Sequence, residues 1–364
     1  MIAFVVGTTA ELIKIAPVFH ACQARGREPA LWFTGQHVAD VPELLDRLGL
    51  PEPTRWLARG VTGQDLQRPK DVPRWLSAVT GSVWRERRAL RAELAADGCL
   101  PLVVVHGDTF TTVVGAVLGR LLGARVAHVE AGLRSGSLRS PFPEEGNRRI
   151  VGRLVDLHFP PTPREVANLR GHRGAVVLTG ANTVLDSLKL LAAADPHQLP
   201  LPARYGVATL HRFELMQDRP SLTAVLRLLH EAARDLPILL FAGAPERDRF
   251  ARYDLLDLFD NALVLRDKLA YLDFLPVLGA AEFVVTDSGG LQEECAYLGV
   301  PCVVHRKQTE RHQGLGGNVV LSGMDLEVVR GFLADPAALR GPSTLEQHQP
   351  SQVIVDALAT MGHL

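Results

Sequence analysis

The stretch from Leu102 to Gly132, LVVVHGDTFTTVVGAVLGRLLGARVAHVEAG, contains the patterns of a strand, a helix and a second strand in succession. Its two strand patterns, LVVVH and RVAHV, are short apolar runs rich in β-branched residues, as in buried strands. The segment between them has the length and the amphipathic character of a helix. Two strands that a helix connects in this way lie parallel in one sheet. The stretch therefore predicts an α/β fold built on a parallel sheet.

The same alternation of strand and helix patterns continues along most of the chain. Further strand-like runs are IAFVV, PALWFTG, LHFPP, AVVLTG, YGVATLH, PILLFAG, ALVLRDK, FVVTDSG and PCVVHRK. Roughly eleven strands exceed what one compact open sheet usually holds, so two sheets are expected. The Pro-rich segment 190–206 is the predicted linker, and the segment 55–75 is predicted to be loop. We therefore expect two Rossmann-like domains that face each other across a cleft, with ligands beyond the carboxyl ends of the strands.

Composition narrows the class of function. With 364 residues, 47% hydrophobic residues and a formal net charge of -1, the chain suits a globular protein of about two domains. Its near-zero charge argues against a dedicated nucleic-acid-binding protein, and neither a polybasic run nor a spanning apolar run indicates a membrane. The four cysteines form no CxxC pair, and no leader pattern precedes the first strand. We expect a reduced, cytoplasmic protein that acts on a small molecule.

One candidate site follows the strand pattern FVVT. There the chain turns into a helix through a Ser-Gly-Gly sequence, Ser288, Gly289 and Gly290. Glycines let a phosphate approach the backbone N–H groups, and the helix dipole favours its charge. Glu293 and Glu294 are expected in the first helical turn, where one can complement the dipole and the other can accept hydrogen bonds from ribose hydroxyls. A purely structural tight turn is the alternative.

A second candidate site gathers carboxylates. Asp108 follows one strand and Glu130 ends the next, so both lie at one sheet edge if these strands are neighbours. The loop after Glu130 leads through two prolines to Glu144. Carboxylates that lie close together raise one another's proton affinity, which lets a carboxyl group act as acid or base near neutral pH. The alternatives are that Asp108 only caps the next helix, and that the loop is a solvated charged surface.

Cationic and histidine side chains accompany both candidate sites. Those near the carboxylates are Arg134, Arg139, Arg148 and Arg149, which can orient the acids or hold phosphate oxygens. His211 and Arg212 follow a strand of the second series, and Arg306 and Arg311 follow another. Lys14, in the first helix, either contacts the ligand or is only solvated. Histidines within helix or strand patterns, such as His106, are expected to pack or to support other site residues, and no pair has metal-binding spacing. We predict no metal.

These motifs, in this order, resemble the non-hydrolysing UDP-N-acetylglucosamine 2-epimerase family. The resemblance rests on GTTAELIKIAP, TGQH, VHGDT, HVEAGLRSGSLRSPFPEEGNR, LHFPPT, TGAN, LHR, TDSGGLQEE and TERH. It implies a glycosyltransferase-B type architecture with the active site in the interdomain cleft and UDP held mainly by the C-terminal domain. It also implies reversible inversion at carbon 2 of the UDP-linked N-acetylhexosamine without NAD or another cofactor, and a homodimer.

The resemblance also implies roles for individual residues. The catalytic residues carried over are Asp108, Glu130, Glu144 and His211, without an assignment of acid and base among the carboxylates. The substrate- and UDP-binding residues are expected to be Lys14, Arg148, Arg212, Phe274, Ser288, Gly289, Gly290, Glu294, Arg306 and Arg311. The expected domains are residues 1–175 with 345–364, which carry the carboxylates, and residues 176–344, which hold UDP.

Departures from the family pattern limit this transfer. GTTAE stands where the family usually has GTRPE, so Thr9 and Ala10 replace an Arg and a Pro, and HRFEL and TERHQ also differ from the usual sequences. Relatives that their own substrate activates carry a glutamine-rich continuation after TGQH and a PVHxNP stretch. This chain has TGQHVAD and FAGAPER, so we expect no such activation. Alternatives are a hydrolysing 2-epimerase, a UDP-sugar glycosyltransferase and a catalytically silent UDP-sugar-binding protein.

Overall fold

The computed structural model describes residues 1–59, 63–66, 69–136, 143–192 and 200–364. Contacts divide the chain into two compact units, Met1–Ser187 with His348–Leu364, and Leu188–Gln347. Each unit is built on one parallel sheet, one of seven and one of six strands among the described residues. The predicted fold class of two Rossmann-like α/β domains is confirmed.

The first sheet has the order β3-β2-β1-β4-β5-β6-β7, and all its strand pairs are parallel. Its strands are β1 (Ile2–Val6), β2 (Ala30–Phe33), β3 (Arg55–Trp56), β4 (Leu102–His106), β5 (Arg125–Val129), β6 (Leu157–Phe159) and β7 (Ala175–Val176). The central strands β1, β2 and β4 are buried along their whole length. Continuous apolar runs form such strands because helices cover both faces of a parallel sheet.

Seven helices of the described residues lie wholly in this unit, and α7 (Val184–Ala192) begins in it and continues past Ser187 into the second unit. The seven are α1 (Thr9–Ala24), α2 (Val41–Arg47), α3 (Val72–Leu94), α4 (Phe110–Leu122), α5 (Glu144–Leu154), α6 (Pro163–Asn168) and α14 (Pro350–Thr360). The last of them, α14, packs on α1. The Ser351 amide at its start donates to Asp186 Oδ2 at 2.8 Å. The C-terminal helix is thus part of the first unit.

The division between the units lies later in the chain than the expected 175/176 and 344/345 boundaries. Strand β7 still pairs with β6, and the Ser187 hydroxyl donates to the Ile13 carbonyl at 2.7 Å. These contacts tie the segment after residue 175 to the first sheet, so the first unit extends to Ser187. Of the predicted linker 190–206, residues 190–192 end helix α7, and 193–199 lie outside the described residues.

The second sheet has the order β10-β9-β8-β11-β12-β13, again with parallel pairs throughout. Its strands are β8 (Gly206–Thr209), β9 (Ile238–Ala242), β10 (Leu263–Asp267), β11 (Phe283–Thr286), β12 (Cys302–Val304) and β13 (Val319–Leu321). Its helices are α8 (Phe213–Gln217), α9 (Arg219–Ala232), α10 (Ala244–Arg252), α11 (Tyr271–Gly279), α12 (Gly289–Leu298) and α13 (Leu326–Ala334). None of the helices in the described ranges has the length and apolar character needed to span a bilayer.

The prediction of loop for 55–75 is wrong at both of its ends. Arg55–Trp56 forms the edge strand β3 on β2, and Trp75 lies in helix α3. The Trp75 indole is buried and donates to the Thr34 carbonyl at 2.8 Å. A two-residue edge strand has too little pattern to be detected, because its pairing depends on the neighbouring strand and not on its own sequence.

Candidate active site

Both sheets place their charged loops at a topological switch point. In each sheet the order reverses between the first strand of the unit and its neighbour, β1 with β4 and β8 with β11. The connections that leave such a pair run in opposite directions, which opens a crevice at the carboxyl ends of the strands. The loops after β1 and β4 lead to Lys14 and Asp108, and those after β8 and β11 carry His211 and Ser288. Each unit therefore has its own group of charged residues at its switch point, and we call each group a half-site.

In the first unit, Glu11 links the loops after β1 and β4. It closes a capping box with Thr8, and its Oε2 accepts hydrogen bonds from the amides of Gly7 and Thr8 at 2.8 and 3.0 Å. Its Oε1 accepts from the Thr109 hydroxyl at 2.6 Å. Burial raises the pKa of Glu11 to about 7, although these hydrogen bonds act in the opposite direction. Glu11 is thus a supporting residue of this site that the strand-end patterns did not predict.

Glu130 directly follows β5 in a left-handed conformation with a φ of 63°. For a residue other than glycine such a backbone costs about 1–3 kcal/mol and is characteristic of functional sites. The buried carboxylate accepts from Lys14 Nζ at 2.9 Å, and His106 Nε2 lies 3.1 Å from the same oxygen. Lys14 is thus an ion-pair partner, so the alternative of a merely solvated lysine is wrong. Burial lowers the pKa of His106, which favours the neutral ring beside this pair.

Asp108 follows β4, the strand that pairs with β5. Nε and Nη2 of Arg148 lie 2.8 and 2.6 Å from its Oδ2. Its backbone carbonyl accepts a hydrogen bond from the Asn147 side chain at 2.8 Å. Thr109, not Asp108, caps helix α4 through its hydroxyl. The capping alternative for Asp108 is therefore wrong, and its carboxylate is held by a buried guanidinium instead.

Helix α5 brings its acidic start to the same half-site. Glu144 is its first residue, and Arg148, the partner of Asp108, lies one turn further on the same face. Within the described part of the chain, Glu144 Oε2 is buried without a hydrogen-bond partner. Such an orphaned oxygen at a sheet edge calls for a donor from a ligand or from solvent.

The neighbouring residue, Glu145, has a different environment. It is fully buried, where it accepts from the Ser135 amide at 3.0 Å and from Arg149 Nε at 2.9 Å. Burial acts to raise its pKa, but these bonds and the nearby guanidinium groups outweigh it, so the pKa is lowered. Glu145 and Arg149 thus hold each other in place. Arg134 donates to the Leu133 carbonyl, and Arg139 lies outside the described residues.

In the second unit, His211 and Arg212 follow β8 and are held by Asp287. The two backbone amides donate to Asp287 Oδ2 at 2.9 and 2.8 Å, and His211 Nδ1 lies 3.1 Å from Oδ1. Asp287 is buried, whereas the His211 side chain is 48% exposed. The buried carboxylate therefore fixes the loop and orients the imidazole toward solvent-accessible space. Asp287 lies in the quoted TDSGG motif but was not assigned a role.

The predicted anion site is the start of helix α12. Ser288 is the N-cap, with its hydroxyl accepting from the Leu291 amide, and Gly289 and Gly290 form the first turn. A Cβ on Gly289 would lie 3.3 Å from Glu310 Oε1 and 3.5 Å from Arg306 Nη1. A Cβ on Gly290 would have its nearest neighbour at 3.6 Å, so packing within the protein does not require glycine there. Glycine at that position leaves the helix N-terminus open to an anion.

The two glutamates of α12 lie in its second turn and not in the first, because the helix already begins at Gly289. The structure also separates their environments. Glu293 pairs with Arg311 Nη1 at 2.7 Å and accepts from the Tyr297 hydroxyl at 3.2 Å. Glu294 accepts from the Tyr271 hydroxyl at 2.8 Å, across the contact with helix α11.

Two further predicted nucleotide residues are Arg306, which lies near this helix start, and Phe274, which lies in helix α11. Arg306 follows β12 and pairs with Glu310 at 3.3 Å. Burial acts to raise the pKa of Glu310, but Arg306 and other guanidinium groups lower it overall. Phe274 is buried in α11, where its ring meets Phe241 edge to face with 5.3 Å between the centroids. Nowhere in the described ranges do three or more His, Cys, Asp or Glu side chains form a group able to hold a metal ion.

Comparison with known proteins shows which family the chain belongs to. A family model described as UDP-N-acetylglucosamine 2-epimerase matches residues 21–337. The chain is 34% identical to a probable UDP-N-acetylglucosamine 2-epimerase of Ralstonia nicotianae, over 89% of this chain and 87% of that protein. It is 31% identical to the UDP-N-acetylglucosamine 2-epimerase of Escherichia coli K12, over 88% and 86% of the two chains.

Solved structures extend the likeness to the fold. The UDP-GlcNAc 2-epimerase of Neisseria meningitidis, bound to UDP-GlcNAc, superimposes with a TM-score of 0.78 at 26% identity, covering 99% of each chain. The enzyme of Methanocaldococcus jannaschii, in complex with UDP-GlcNAc and UDP, superimposes with a TM-score of 0.75 at 25% identity, again over 99% of each chain. Family model, sequence relatives and fold coincide over nearly the whole length. The chain belongs to the UDP-N-acetylglucosamine 2-epimerase family.

Proposed function

We propose that the protein interconverts UDP-N-acetylglucosamine and UDP-N-acetylmannosamine by eliminating and re-adding UDP. A carboxylate removes the proton from carbon 2 while the bond between carbon 1 and the diphosphate oxygen breaks, which leaves a glycal and UDP. The diphosphate oxygen then adds back to carbon 1 while a carboxyl group delivers a proton to the opposite face of carbon 2. Atoms and electrons balance without an oxidant or a cofactor.

The carboxylate half-site carries this proposal. Asp108 and Glu130 follow neighbouring strands, and each has its own cation, Arg148 and Lys14. Two acids with separate counter-ions can be in different protonation states. The proposed reaction requires this, because one group must remove a proton and another must supply one. The strained backbone of Glu130 supports a functional role, since a purely structural acid would not need it. Glu144, on the same helix face as Arg148, is the third proposed acid.

The second unit is proposed to bind UDP. Ser288, Gly289 and Gly290 offer the helix N-terminus to the diphosphate, with Arg306 and Arg311 adding positive charge. His211 and Arg212 are proposed to stabilise the departing diphosphate, because Asp287 holds both in place. Phe274 is proposed to contact the base and Glu294 the ribose.

Proton NMR of the purified protein with UDP-N-acetylglucosamine in heavy water tests the reaction. We expect a UDP-linked manno epimer that carries deuterium at carbon 2. Free N-acetylmannosamine together with UDP would instead identify a hydrolysing enzyme. Transfer to an added acceptor would identify a glycosyltransferase, and no exchange with UDP still bound would identify a silent binding protein.

Amide variants separate chemistry from binding. Asp108→Asn and Glu130→Gln should lower turnover by at least about 100-fold, because a general acid or base contributes that much or more. UDP affinity should change little, since neither residue is placed in the nucleotide half-site. Glu43→Gln, an exposed substitution in α2, serves as the control. Undiminished turnover in Asp108→Asn would remove that residue from the mechanism.

We also propose that substrate does not activate the enzyme allosterically. The support is that TGQHVAD lacks the glutamine-rich continuation after TGQH and that FAGAPER lacks the PVHxNP pattern. Within TGQHVAD, the amides of Val38 and Ala39 instead donate to Asp65 Oδ1 at 2.6 and 3.2 Å. Rates should then depend hyperbolically on UDP-N-acetylglucosamine. Pure UDP-N-acetylmannosamine should be consumed without the gluco epimer. A sigmoidal curve would contradict the proposal.

A homodimer in the cytoplasm completes the proposal. Helices α3 and α4 contact each other and expose large apolar side chains, with Trp84 69% and Leu121 62% exposed. Exposed apolar side chains on adjacent helices suit an interface between copies of the chain. Light scattering should give twice the chain mass, and Trp84→Glu should reduce it to the monomer mass. A monomeric wild type would refute the dimer.

The state of the cysteines supports the proposed cytoplasmic location. All four cysteines are free, as suits a reducing compartment.

A further inference from the structure

We infer that Tyr271 positions Glu294 for the ribose hydroxyls and thereby makes the protein prefer a ribonucleotide to its deoxy analogue. Tyr271 is a positioning residue in this inference, since it acts through Glu294. The inference rests on the proposed binding of UDP by the second unit, but it does not depend on which reaction follows.

The first step is that the two adjacent glutamates of α12 have different tasks. Glu293 is committed to Arg311 at 2.7 Å and to Tyr297 at 3.2 Å, contacts that fix the loop after β12 to the helix. Glu294 is the neighbour that faces helix α11 through Tyr271. Tyr271 thus holds Glu294 from the α11 side, whereas Arg311 and Tyr297 hold Glu293.

The second step concerns α11. Tyr271 is its first residue, and Phe274 follows three positions later on the same helix face. Phe274 is the residue proposed to contact the base, so the helix face that carries it also holds the carboxylate proposed for the sugar. A nucleoside needs both contacts at a fixed spacing, because base and ribose are joined by one bond. The Tyr271–Glu294 hydrogen bond supplies such a fixed spacing.

The third step is that the hydrogen bond persists at working pH. Burial raises the pKa of Tyr271 well above its usual value, and the charge of Glu294 adds to this effect. The phenol therefore stays protonated and keeps donating to Glu294 Oε1. A carboxylate with one oxygen bonded in this way has few rotamers left, so it meets a ribose hydroxyl with less loss of conformational entropy.

Calorimetric titration with UDP and 2′,3′-dideoxy-UDP tests the inference. Tyr271→Phe removes only the hydroxyl and should weaken UDP binding about tenfold, as expected when a hydrogen bond to a charged group is lost. The same substitution should weaken the binding of dideoxy-UDP by less than about twofold, because this ligand has no ribose hydroxyl for Glu294 to bind. In a Glu294→Gln background, Tyr271→Phe should change UDP affinity by less than about twofold, because the two residues act as one unit.

Tyr297→Phe is the matched control. It also removes a phenol from a glutamate of α12, but that glutamate is Glu293. The control should leave the ratio of UDP to dideoxy-UDP affinity unchanged. Equal weakening of both ligands by Tyr271→Phe, or a ratio no different from that of Tyr297→Phe, would overturn the inference. A wild type that binds UDP without epimerising its sugar would refute the proposed reaction alone, and the affinity ratio would still decide the role of Tyr271.

Discussion

Replacing the buried Glu11 by Gln should change how the stability of the first unit depends on pH. The pKa of Glu11 is raised by burial from 4.5 to about 7, so the folded state binds a proton more tightly than the unfolded state. The stability that this group contributes is full below about pH 4.5 and is lost as the pH rises through about 7. At 1.36 kcal/mol per pKa unit, the loss amounts to about 3 kcal/mol.

Gln suits this test because it resembles the protonated acid. Its oxygen can accept from the amides of Gly7 and Thr8, and its NH₂ group can donate to Thr109. The variant should therefore fold, but its stability should lack the titration of Glu11. Relative to the wild type, Glu11→Gln should gain about 3 kcal/mol in free energy of unfolding between about pH 4.5 and pH 8.

Urea unfolding followed by tryptophan fluorescence measures this difference in the unit concerned. All four tryptophans, Trp32, Trp56, Trp75 and Trp84, lie in the first unit, so the signal does not report on the second. Free energies obtained across the pH series give the difference between variant and wild type directly.

Glu145→Gln is the control with the opposite sign. The pKa of Glu145 is lowered, because the Ser135 amide and neighbouring guanidinium groups outweigh the effect of burial. Its contribution is present above the unfolded pKa and is lost as the pH falls through the folded pKa. Glu145→Gln should therefore lose stability relative to the wild type as the pH rises. Stability curves of wild type and Glu11→Gln that run parallel across the range would refute the assignment of a raised pKa to Glu11.

Two further predictions concern a pair of glycines, one in each unit, and Lys14. Gly7→Ala should destabilise the first unit by about 1–3 kcal/mol, because a Cβ there would overlap the Thr34 hydroxyl. Gly290→Ala has room in the protein and should leave thermal stability nearly unchanged while weakening UDP binding, and equal stability losses in the two variants would contradict this. Lys14→Gln should lower turnover at least about tenfold by removing the cationic partner of the buried Glu130, whereas Lys14→Arg should restore part of the turnover. Equal rates would refute the ion-pair role.

The sequence was sufficient to predict the two sheets and the positions of the carboxylates. Asp108 and Glu130 each follow a long apolar strand, and parallel strands bring their carboxyl ends to one edge, so pattern alone placed both acids at that edge. The same reasoning predicted that His211 and Ser288 each follow a strand of the second sheet. The extent of the first unit was not predictable, because it depends on long-range contacts such as that of Ser187 with Ile13.

The residues that were missed support others and do not follow from a strand pattern. Glu11 accepts a hydrogen bond from the Thr109 hydroxyl of the loop after β4, and Asp287 accepts from the backbone amides of His211 and Arg212 in the loop after β8. These contacts between loops become visible only when the loops are folded. Tyr271 belongs to a separate helix and meets Glu294 through tertiary packing. A two- or three-residue shift in a helix start also decides which turn contains Glu294, and helix ends are poorly defined by sequence.

The return of helix α14 to the first unit has a consequence for synthesis. The unit that begins at Met1 includes Pro350–Thr360, so the whole of Leu188–Gln347 leaves the ribosome before its last helix does. At typical elongation rates this interval is on the order of ten seconds. During that time the surface of α1 that α14 covers is exposed on the nascent chain. The inserted unit, whose residues are contiguous, can complete its fold first, although it comes second in the sequence.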